Sequence, residues 1–270
     1  MHQVFQYKDI NQYKEDLKYI YSWEKTLQEA NHWHGFDQIK EFSTTRERDI
    51  FQDPKNLDHL VRFGWKNPDN TIGTKIEYHY DKWGYRNKTE LTSPDAISVG
   101  CSTTFGIGMD EERIWPSLVS KESGMSIRNF GIPGGGFESI HRVLTVWLEE
   151  LKPKYVFLAH PPSLTRRSFV TPTNRIHETS PRWEKYENIW DEREIWISNT
   201  RAQQAIKWVC QENNVQLIET NLSQGGNGIW VYANNNNIPL KKDQFMGGRD
   251  LQHAGVQEHY IYSHHILSQI

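Results

Sequence analysis

Apolar residues along this chain fall into short runs typical of buried strands and longer stretches with helical spacing. The short runs are centred near residues 97, 127, 156 and 216. The most regular helical stretch starts at residue 138, has apolar side chains at 140, 143, 144, 147, 148 and 151, and is followed by Pro153. Strands that alternate with helices predict βαβ units, and hence a parallel sheet covered by helices on both faces.

The first part of the chain has a different pattern. Residues 8–31 have helical apolar spacing, whereas glycine and proline interrupt residues 32–74. We therefore predict a packing helix followed by loops and short helices. At 270 residues, one α/β domain with an N-terminal extension is the expected organisation.

Composition and charge exclude several classes of function. A net charge of −3 and a pI near 6.5 give no basic footprint for nucleic acid. No stretch approaches the ~18 apolar residues of a membrane span, and the first ten residues lack a signal core, so a cytoplasmic location is the default expectation. Two cysteines make no disulfide framework. No ligand set predicts a metal or another cofactor.

Residues 96–109 combine a buried-strand pattern with a turn that carries hydroxyls. Ile97 and Val99 alternate with small residues, and Gly100 lets the backbone bend after them. Ser102 follows this bend, at the edge where open α/β sheets bind ligands. Ser102 is therefore a candidate nucleophile, although the pattern also describes an ordinary turn whose hydroxyls bond the local backbone.

A candidate acid–base pair lies near the other end of the chain. Asp250 precedes His253 by three residues, ahead of a stretch with helical spacing. One turn of backbone would let the carboxylate hold one imidazole nitrogen, which fixes the tautomer of a base that activates a serine. Ser102, Asp250 and His253 together predict a catalytic triad.

Short segments of the chain resemble the motifs of a known family. Residues 100–106 read Gly-Cys-Ser-Thr-Thr-Phe-Gly, residues 129–134 read Asn-Phe-Gly-Ile-Pro-Gly, and residues 250–253 read Asp-x-x-His. These segments resemble the SGNH (GDSL) hydrolase family, and residues 83–87 resemble a Gly-x-Arg turn that often precedes its nucleophile strand. The similarity covers roughly residues 75–270, which leaves residues 1–74 as an extension packed on this domain.

The resemblance implies a fold and a mechanism. The fold is a three-layer α/β/α sandwich with a flavodoxin-like central parallel sheet. The mechanism is that of a serine esterase, in which Ser102 attacks an acyl carbonyl, His253 moves the proton and Asp250 orients His253. The amides of Ser102 and Gly134 would hold the oxyanion. The expected substrate is a small-molecule or carbohydrate ester, with acetyl as the acyl group.

The chain departs from the family pattern in two places. Cys101 stands where the family has aspartate, and a thiol nucleophile there is an alternative, although a cysteine ending a buried strand is usually a small core residue. The third motif, Gly-x-Asn-Asp, is replaced by Leu-Ala-His-Pro-Pro at residues 158–162, so the oxyanion asparagine is missing. Losing one such donor typically costs ~3 kcal/mol of transition-state stabilisation. A catalytically impaired binding or structural protein, and an acyltransferase using the same triad, therefore stay open.

The connection over residues 160–194 is long for a compact domain, and such segments often serve as lids. Its polar residues are candidates to replace the asparagine, and its aromatic rings are candidates to stack on a sugar. A solvated, charge-rich loop is the alternative. The candidate substrate or oxyanion contacts are His160, Ser163, Arg166, Arg167, Trp183, Tyr186 and Trp190.

Overall fold

A computed structural model describes residues 39–161, 167–170, 176–179, 192–222, 227–241 and 245–270. Its strands are β1 (Ile39–Lys40), β2 (Tyr78–His79), β3 (Ala96–Gly100), β4 (Ile127–Gly131), β5 (Tyr155–Ala159), β6 (Arg167–Val170), β7 (Ile176–Thr179) and β8 (Gln216–Thr220). Its α-helices are α1 (Thr45–Gln52), α2 (Leu57–Arg62), α3 (Ser102–Phe105), α4 (Trp115–Ser123), α5 (Phe137–Leu151), α6 (Glu192–Glu212), α7 (Asn227–Asn235) and α8 (Val256–Leu267). The helix predicted within residues 8–31 lies outside the described ranges.

Four parallel strands form the central sheet in the order β4-β3-β5-β8. Ala96 of β3 lies opposite Ile127 of β4 on one side and Tyr155 of β5 on the other. Tyr155 in turn lies opposite Gln216 of β8. The parallel sheet predicted from the four apolar runs is therefore confirmed.

Helices cover both faces of this sheet because successive strand side chains point to opposite sides. Ile97 and Val99 pack with α5 and α6 in one core cluster, whereas Ala96 and Phe157 pack with α4, α7 and α8 in another. The predicted three-layer α/β/α arrangement is confirmed. None of the helices in the described ranges is long and apolar enough to cross a membrane.

The strand order reverses at β3 and β5. The chain passes from β3 to its neighbour β4, then crosses back to β5 on the other side of β3, and continues outward to β8. Ligands of open α/β sheets bind outside the carboxyl ends of the strands at such a switch point. Ser102 directly follows the turn after β3, and His160 directly follows β5.

The N-terminal part of the described chain packs beside this switch point. Phe51, Leu60 and Trp65 share a buried cluster with Phe105 and Ile107, which follow Ser102 in the chain. Trp65 Nε1 also donates a 2.8 Å hydrogen bond to the backbone oxygen of residue 247. Residues that precede the hydrolase-like part of the chain thus contact both the segment that follows Ser102 and the segment that precedes Asp250.

A capped 3₁₀ turn precedes helix α4. The Asp110 side chain accepts a hydrogen bond from Arg113 N and caps a 3₁₀ turn over Glu111–Arg113. Helix α4 starts at Trp115, with Pro116 in its first turn, where a missing N–H costs nothing.

Candidate active site

The turn that carries Ser102 lies close over the ends of the strands. A Cβ atom at Gly100 would lie 2.1 Å from Thr104 Oγ1 and 2.8 Å from the Ala159 oxygen. A Cβ atom at Gly131 would lie 2.1 Å from Phe105 N. Both positions therefore require glycine, which lets the backbone of α3 pack directly on β4 and β5.

Ser102 is buried, with 4% of its surface exposed. Thr103, Thr104 and Phe105 are buried too, because α3 lies between β4 and the buried cluster that contains Phe51, Leu60 and Trp65. The Ser102 hydroxyl contacts Cys101 Sγ at 4.0 Å. Cys101 is itself buried, as the interpretation of a small core residue requires.

Asp250 and His253 form the predicted pair. Asp250 Oδ2 lies 2.5 Å from His253 Nδ1, and Asp250 Oδ1 accepts a 3.1 Å hydrogen bond from His253 N. The backbone bond places the histidine one turn after the aspartate. Asp250 is buried, whereas the His253 side chain is 24% exposed. The ring is held at Nδ1, which leaves Nε2 as its second nitrogen.

A backbone hydrogen bond joins this pair to residues 102–109, which carry the candidate nucleophile and are called the nucleophile loop below. Arg249 N donates to the Gly108 oxygen at 2.7 Å, and Gly106 and Ile107 both donate from their amides to the Ser102 oxygen. The segments that carry Ser102 and His253 are thus brought together. Among the described residues, Ser102 Oγ and His253 form no hydrogen bond with each other.

His160 lies directly after the carboxyl end of β5. Its Nε2 lies 3.0 Å from Glu219 Oε1 on β8, and its ring meets the edge of Phe137 with centroids 5.1 Å apart. The hydrogen bond from His160 lowers the pKa of Glu219, and burial acts in the opposite direction. The Lys207 charge, with Nζ 3.3 Å from Glu219 Oε2, lowers this pKa further. His160 is therefore fixed by a carboxylate at the switch point.

Gly134 lies in the turn after β4. Gly135 N donates to the Ile132 oxygen at 2.9 Å, and Gly134 has φ 78°. Proline at the second position and a positive φ at the third define a type II turn, which explains the sequence Ile-Pro-Gly-Gly. The Gly134 amide makes no hydrogen bond with any residue that the structure describes.

Arg86, the arginine of the Gly-x-Arg turn, holds the far end of the nucleophile loop. Its guanidinium is buried and donates to the backbone oxygens of Phe105, Gly106 and Met109, at 3.3, 2.5 and 2.7 Å. These oxygens lie at the end of α3 and in the turn after it, where so short a helix leaves carbonyls without partners within the helix. Arg86 therefore fixes the loop by satisfying its carbonyls.

A second buried network supports the loop from the side of β4. Asn129 Nδ2 donates to the Thr104 oxygen at 2.9 Å. The backbone amide of Asn129 donates to Asn87 Oδ1 at 2.8 Å. Asp81 accepts from Asn87 Nδ2 and from Arg128 Nη2, at 3.1 and 2.9 Å. Burial raises the pKa of Asp81, and the Arg128 charge acts against this rise. Sequence reasoning missed Asp81 and Arg128, because neither belongs to a recognised motif.

Most of the candidate contacts after His160 lie outside the described residues. These are Ser163, Arg166, Trp183, Tyr186 and Trp190. Arg167 begins β6, which pairs antiparallel with β7, and its side chain also lies outside what is described. The predicted lid over Ser102 therefore stays a prediction.

A cleft of about 790 Å³ lies elsewhere on the protein and is lined by charged residues of both signs. Its walls include His79, Glu111 and Lys121, and none of the proposed triad. No group of three metal-ligating side chains is found within the described ranges. This cleft gives no reason to place the chemistry away from Ser102.

Comparison with known proteins gives distant structural likenesses. No protein-family model and no curated protein matches the chain. The chain resembles a protein described as lipolytic, of the G-D-S-L family, from Desulfitobacterium hafniense DCB-2, with 18% identity, 53% of this chain and 74% of that chain covered, and a TM-score of 0.33. It also resembles the psychrotrophic esterase EstA from Pseudoalteromonas sp., with 11% identity and a TM-score of 0.33. This match covers 64% of this chain and 95% of the esterase chain. At such TM-scores neither likeness carries an argument about function.

Proposed function

We propose that this protein is a serine hydrolase of carboxylic esters, with Ser102 as the nucleophile, His253 as the base and Asp250 as the residue that orients it. The observation that carries the proposal is the attachment of the Asp250–His253 pair to the Ser102 loop, through the 2.7 Å bond from Arg249 N to the Gly108 oxygen. A weakly nucleophilic hydroxyl needs a nearby base whose tautomer is fixed. The 2.5 Å contact between Asp250 and His253 supports that role.

The proposed reaction uses Nε2 of His253 as the proton carrier. Ser102 Oγ bonds to the acyl carbon, its proton passes to Nε2, and the carbonyl electron pair moves to the carbonyl oxygen. When this pair returns, the bond to the leaving oxygen breaks and the proton on Nε2 passes to that oxygen. Water then attacks the acyl-enzyme with the same proton transfers, giving the carboxylic acid and free Ser102.

Two backbone amides are proposed to stabilise the oxyanion. Ser102 is the first residue of α3, so its amide has no acceptor within the helix. The Gly134 amide has no partner among the described residues, and its turn follows the strand beside β3. Amides held in place before the reaction suit this role because they need no reorganisation when charge develops.

His160 is proposed to supply the contact that asparagine makes in the family that the sequence resembles. Its Nε2 faces Glu219, so the substrate oxygen is proposed to accept from Nδ1–H, which requires the imidazole to carry a proton on both nitrogens. We expect His160→Ala to lower kcat/KM for an ester by about a hundredfold to a thousandfold, as removal of an oxyanion donor does. His160→Asn, which restores a side-chain amide, should recover most of that loss. Equal rates for all three proteins would contradict this role.

The finer substrate assignment is an acetyl ester on a carbohydrate. It rests on the aromatic, cationic and hydroxyl side chains predicted to lie near Ser102, namely Trp183, Trp190, Arg166, Arg167 and Ser163. A panel of p-nitrophenyl acetate, butyrate and octanoate, together with acetylated sugars, tests it. Release of acetate from the sugars, lost in Ser102→Ala and kept in Cys101→Ala, is expected. Activity on long acyl chains alone would contradict the assignment.

A binding protein with impaired catalysis is the second candidate. The burial of Ser102 and the lack of a hydrogen bond from its hydroxyl to His253 favour it. Calorimetry with an acetylated sugar separates the two candidates. Binding without any release of acetate would favour the second candidate, whereas turnover that needs Ser102 would exclude it.

A further inference from the structure

Glu47 of α1 is a fully buried carboxylate with a complete set of donors. Its Oε2 accepts from both the amide and the hydroxyl of Ser43, each at 2.7 Å. Its Oε1 accepts from the Tyr78 hydroxyl at 2.9 Å and from Arg249 Nε at 2.8 Å. We call Ser43, Glu47, Tyr78 and Arg249 the Glu47 cluster. A buried charge is tolerated only when it is paired in this way.

Two members of the Glu47 cluster bind the same residue of the nucleophile loop. The Tyr78 hydroxyl, which donates to Glu47, accepts from Gly108 N at 2.8 Å. Arg249 N donates to the Gly108 oxygen at 2.7 Å. Both backbone groups of Gly108 are thus engaged. Burial raises the pKa of Tyr78 well above its usual range, which keeps this hydroxyl protonated and able to donate to Glu47.

The approach of the two loops at Gly108 is close. Gly108 has φ 75°, and a Cβ atom there would lie 2.7 Å from Arg249 N. The Arg249 guanidinium is buried over the Phe42 ring at 4.4 Å and also donates to the Glu41 oxygen. Arg249 is therefore held by residues that precede the hydrolase-like part of the chain, and Asp250 is the next residue.

We propose that Glu47 is a positioning residue for the acid–base pair: through Tyr78 and Arg249 it fixes Asp250 and His253 relative to the loop that starts at Ser102. The inference rests on the proposed function of these three residues. The physical reason is that the Glu47 cluster binds both segments at once. Without it, the backbone hydrogen bond between Arg249 and Gly108 and the packing of Leu251 on the cluster that contains Phe105 and Ile107 would be left to set their separation. A misplacement of about 1 Å can cost a hundredfold in rate.

The first test compares two tyrosine variants. Tyr78→Phe removes only the hydroxyl that joins Glu47 to Gly108. Tyr85→Phe is the matched control, because Tyr85 is equally buried but lies in the core cluster that contains Ile97 and Val99. There it packs on Phe130, with 4.6 Å between ring centroids. We expect Tyr78→Phe to lower kcat on p-nitrophenyl acetate by about tenfold with KM unchanged. The rate of covalent labelling by a fluorophosphonate should fall in parallel, and the control should change neither.

Glu47→Gln provides the second variant and should reduce both rates further. If Glu47→Gln fails to fold, the turnover and labelling rates of Tyr78→Phe alone test the positioning role. Wild-type labelling at Ser102 with unchanged rates in Tyr78→Phe would overturn the positioning role and leave the proposed function intact. An equal loss in Tyr85→Phe would also overturn it, because general loosening of the core would then explain the effect. A wild-type protein that is neither labelled nor active would overturn the proposed function and this inference with it.

Discussion

Gly131→Ala should lower the activity of the protein strongly while leaving it folded. The new Cβ would lie 2.1 Å from Phe105 N and 2.6 Å from Thr104 C, both backbone atoms of α3. Real Cβ atoms keep at least 3.0 Å from such atoms, so α3 must move by about 1 Å to reach ordinary contact. Ser102 lies in the same four-residue helix and must move with it.

The two consequences of this movement differ in size. Overpacking by one methyl group costs about 1–3 kcal/mol of stability, which most folded proteins of this length survive. A nucleophile misplaced by about 1 Å loses on the order of a hundredfold in rate. We therefore expect kcat/KM on p-nitrophenyl acetate to fall about a hundredfold at a temperature well below the melting midpoint of the variant.

Gly124→Ala is the matched control. Gly124 ends α4 with φ 74°, and no atom lies within 4 Å of the Cβ position. The alanine should cost roughly 1 kcal/mol from the left-handed backbone alone, with no change in rate. Thermal unfolding measured beside the kinetics separates the two effects. Full activity in Gly131→Ala, or an equal loss in Gly124→Ala, would refute the claim that close packing of α3 on β4 positions Ser102.

Two further predictions concern histidines. Asp250→Asn and His253→Ala should each lower turnover strongly. The double variant should be little slower than His253→Ala, because the two residues act as a unit. Losses in turnover that multiply in the double variant would argue against a shared role. Burial lowers the pKa of His259 to about 3, assisted by the charges of Arg86 and His253. Between about pH 6.5 and pH 3 only the unfolded state binds this proton, so the neutral His259 contributes its full stability above pH 6.5 and loses that contribution as the pH falls. From pH 7 to pH 5, the free energy of unfolding measured in urea should therefore fall by about 2 kcal/mol more in the wild type than in His259→Gln. Equal losses would contradict the buried neutral state.

The sheet and its helices could be predicted from the sequence because their patterns are local. Strand β5 coincides with the apolar run near residue 156, since five apolar residues lie between Lys154 and His160. Helix α5 starts one residue before its prediction and ends at Leu151 as expected. The Asp250–His253 contact was also predictable, because one turn of backbone joins the two residues.

The interior charges could not be predicted, because charged side chains normally lie at the surface. Glu47 and Arg249 are 202 residues apart, so no local period relates them. The burial of His259 is another example: it follows Gln257 and Glu258 in α8, yet it is fully buried and accepts a hydrogen bond from Trp115 N. The pattern of α8 alone did not show that α4 would cover this position.

Covalent labelling is the measurement that tests the proposed hydrolase most directly. The folded protein would be incubated with a fluorophosphonate, and the modified peptide located by mass spectrometry. A reactive serine forms a bond from Oγ to phosphorus with loss of fluoride, which an ordinary hydroxyl does not do at neutral pH. We predict one adduct, on Ser102, that forms far more slowly in His253→Ala and is absent from Ser102→Ala. A folded wild-type protein without an adduct, or with one on another residue, would contradict the assignment of Ser102 as an activated nucleophile.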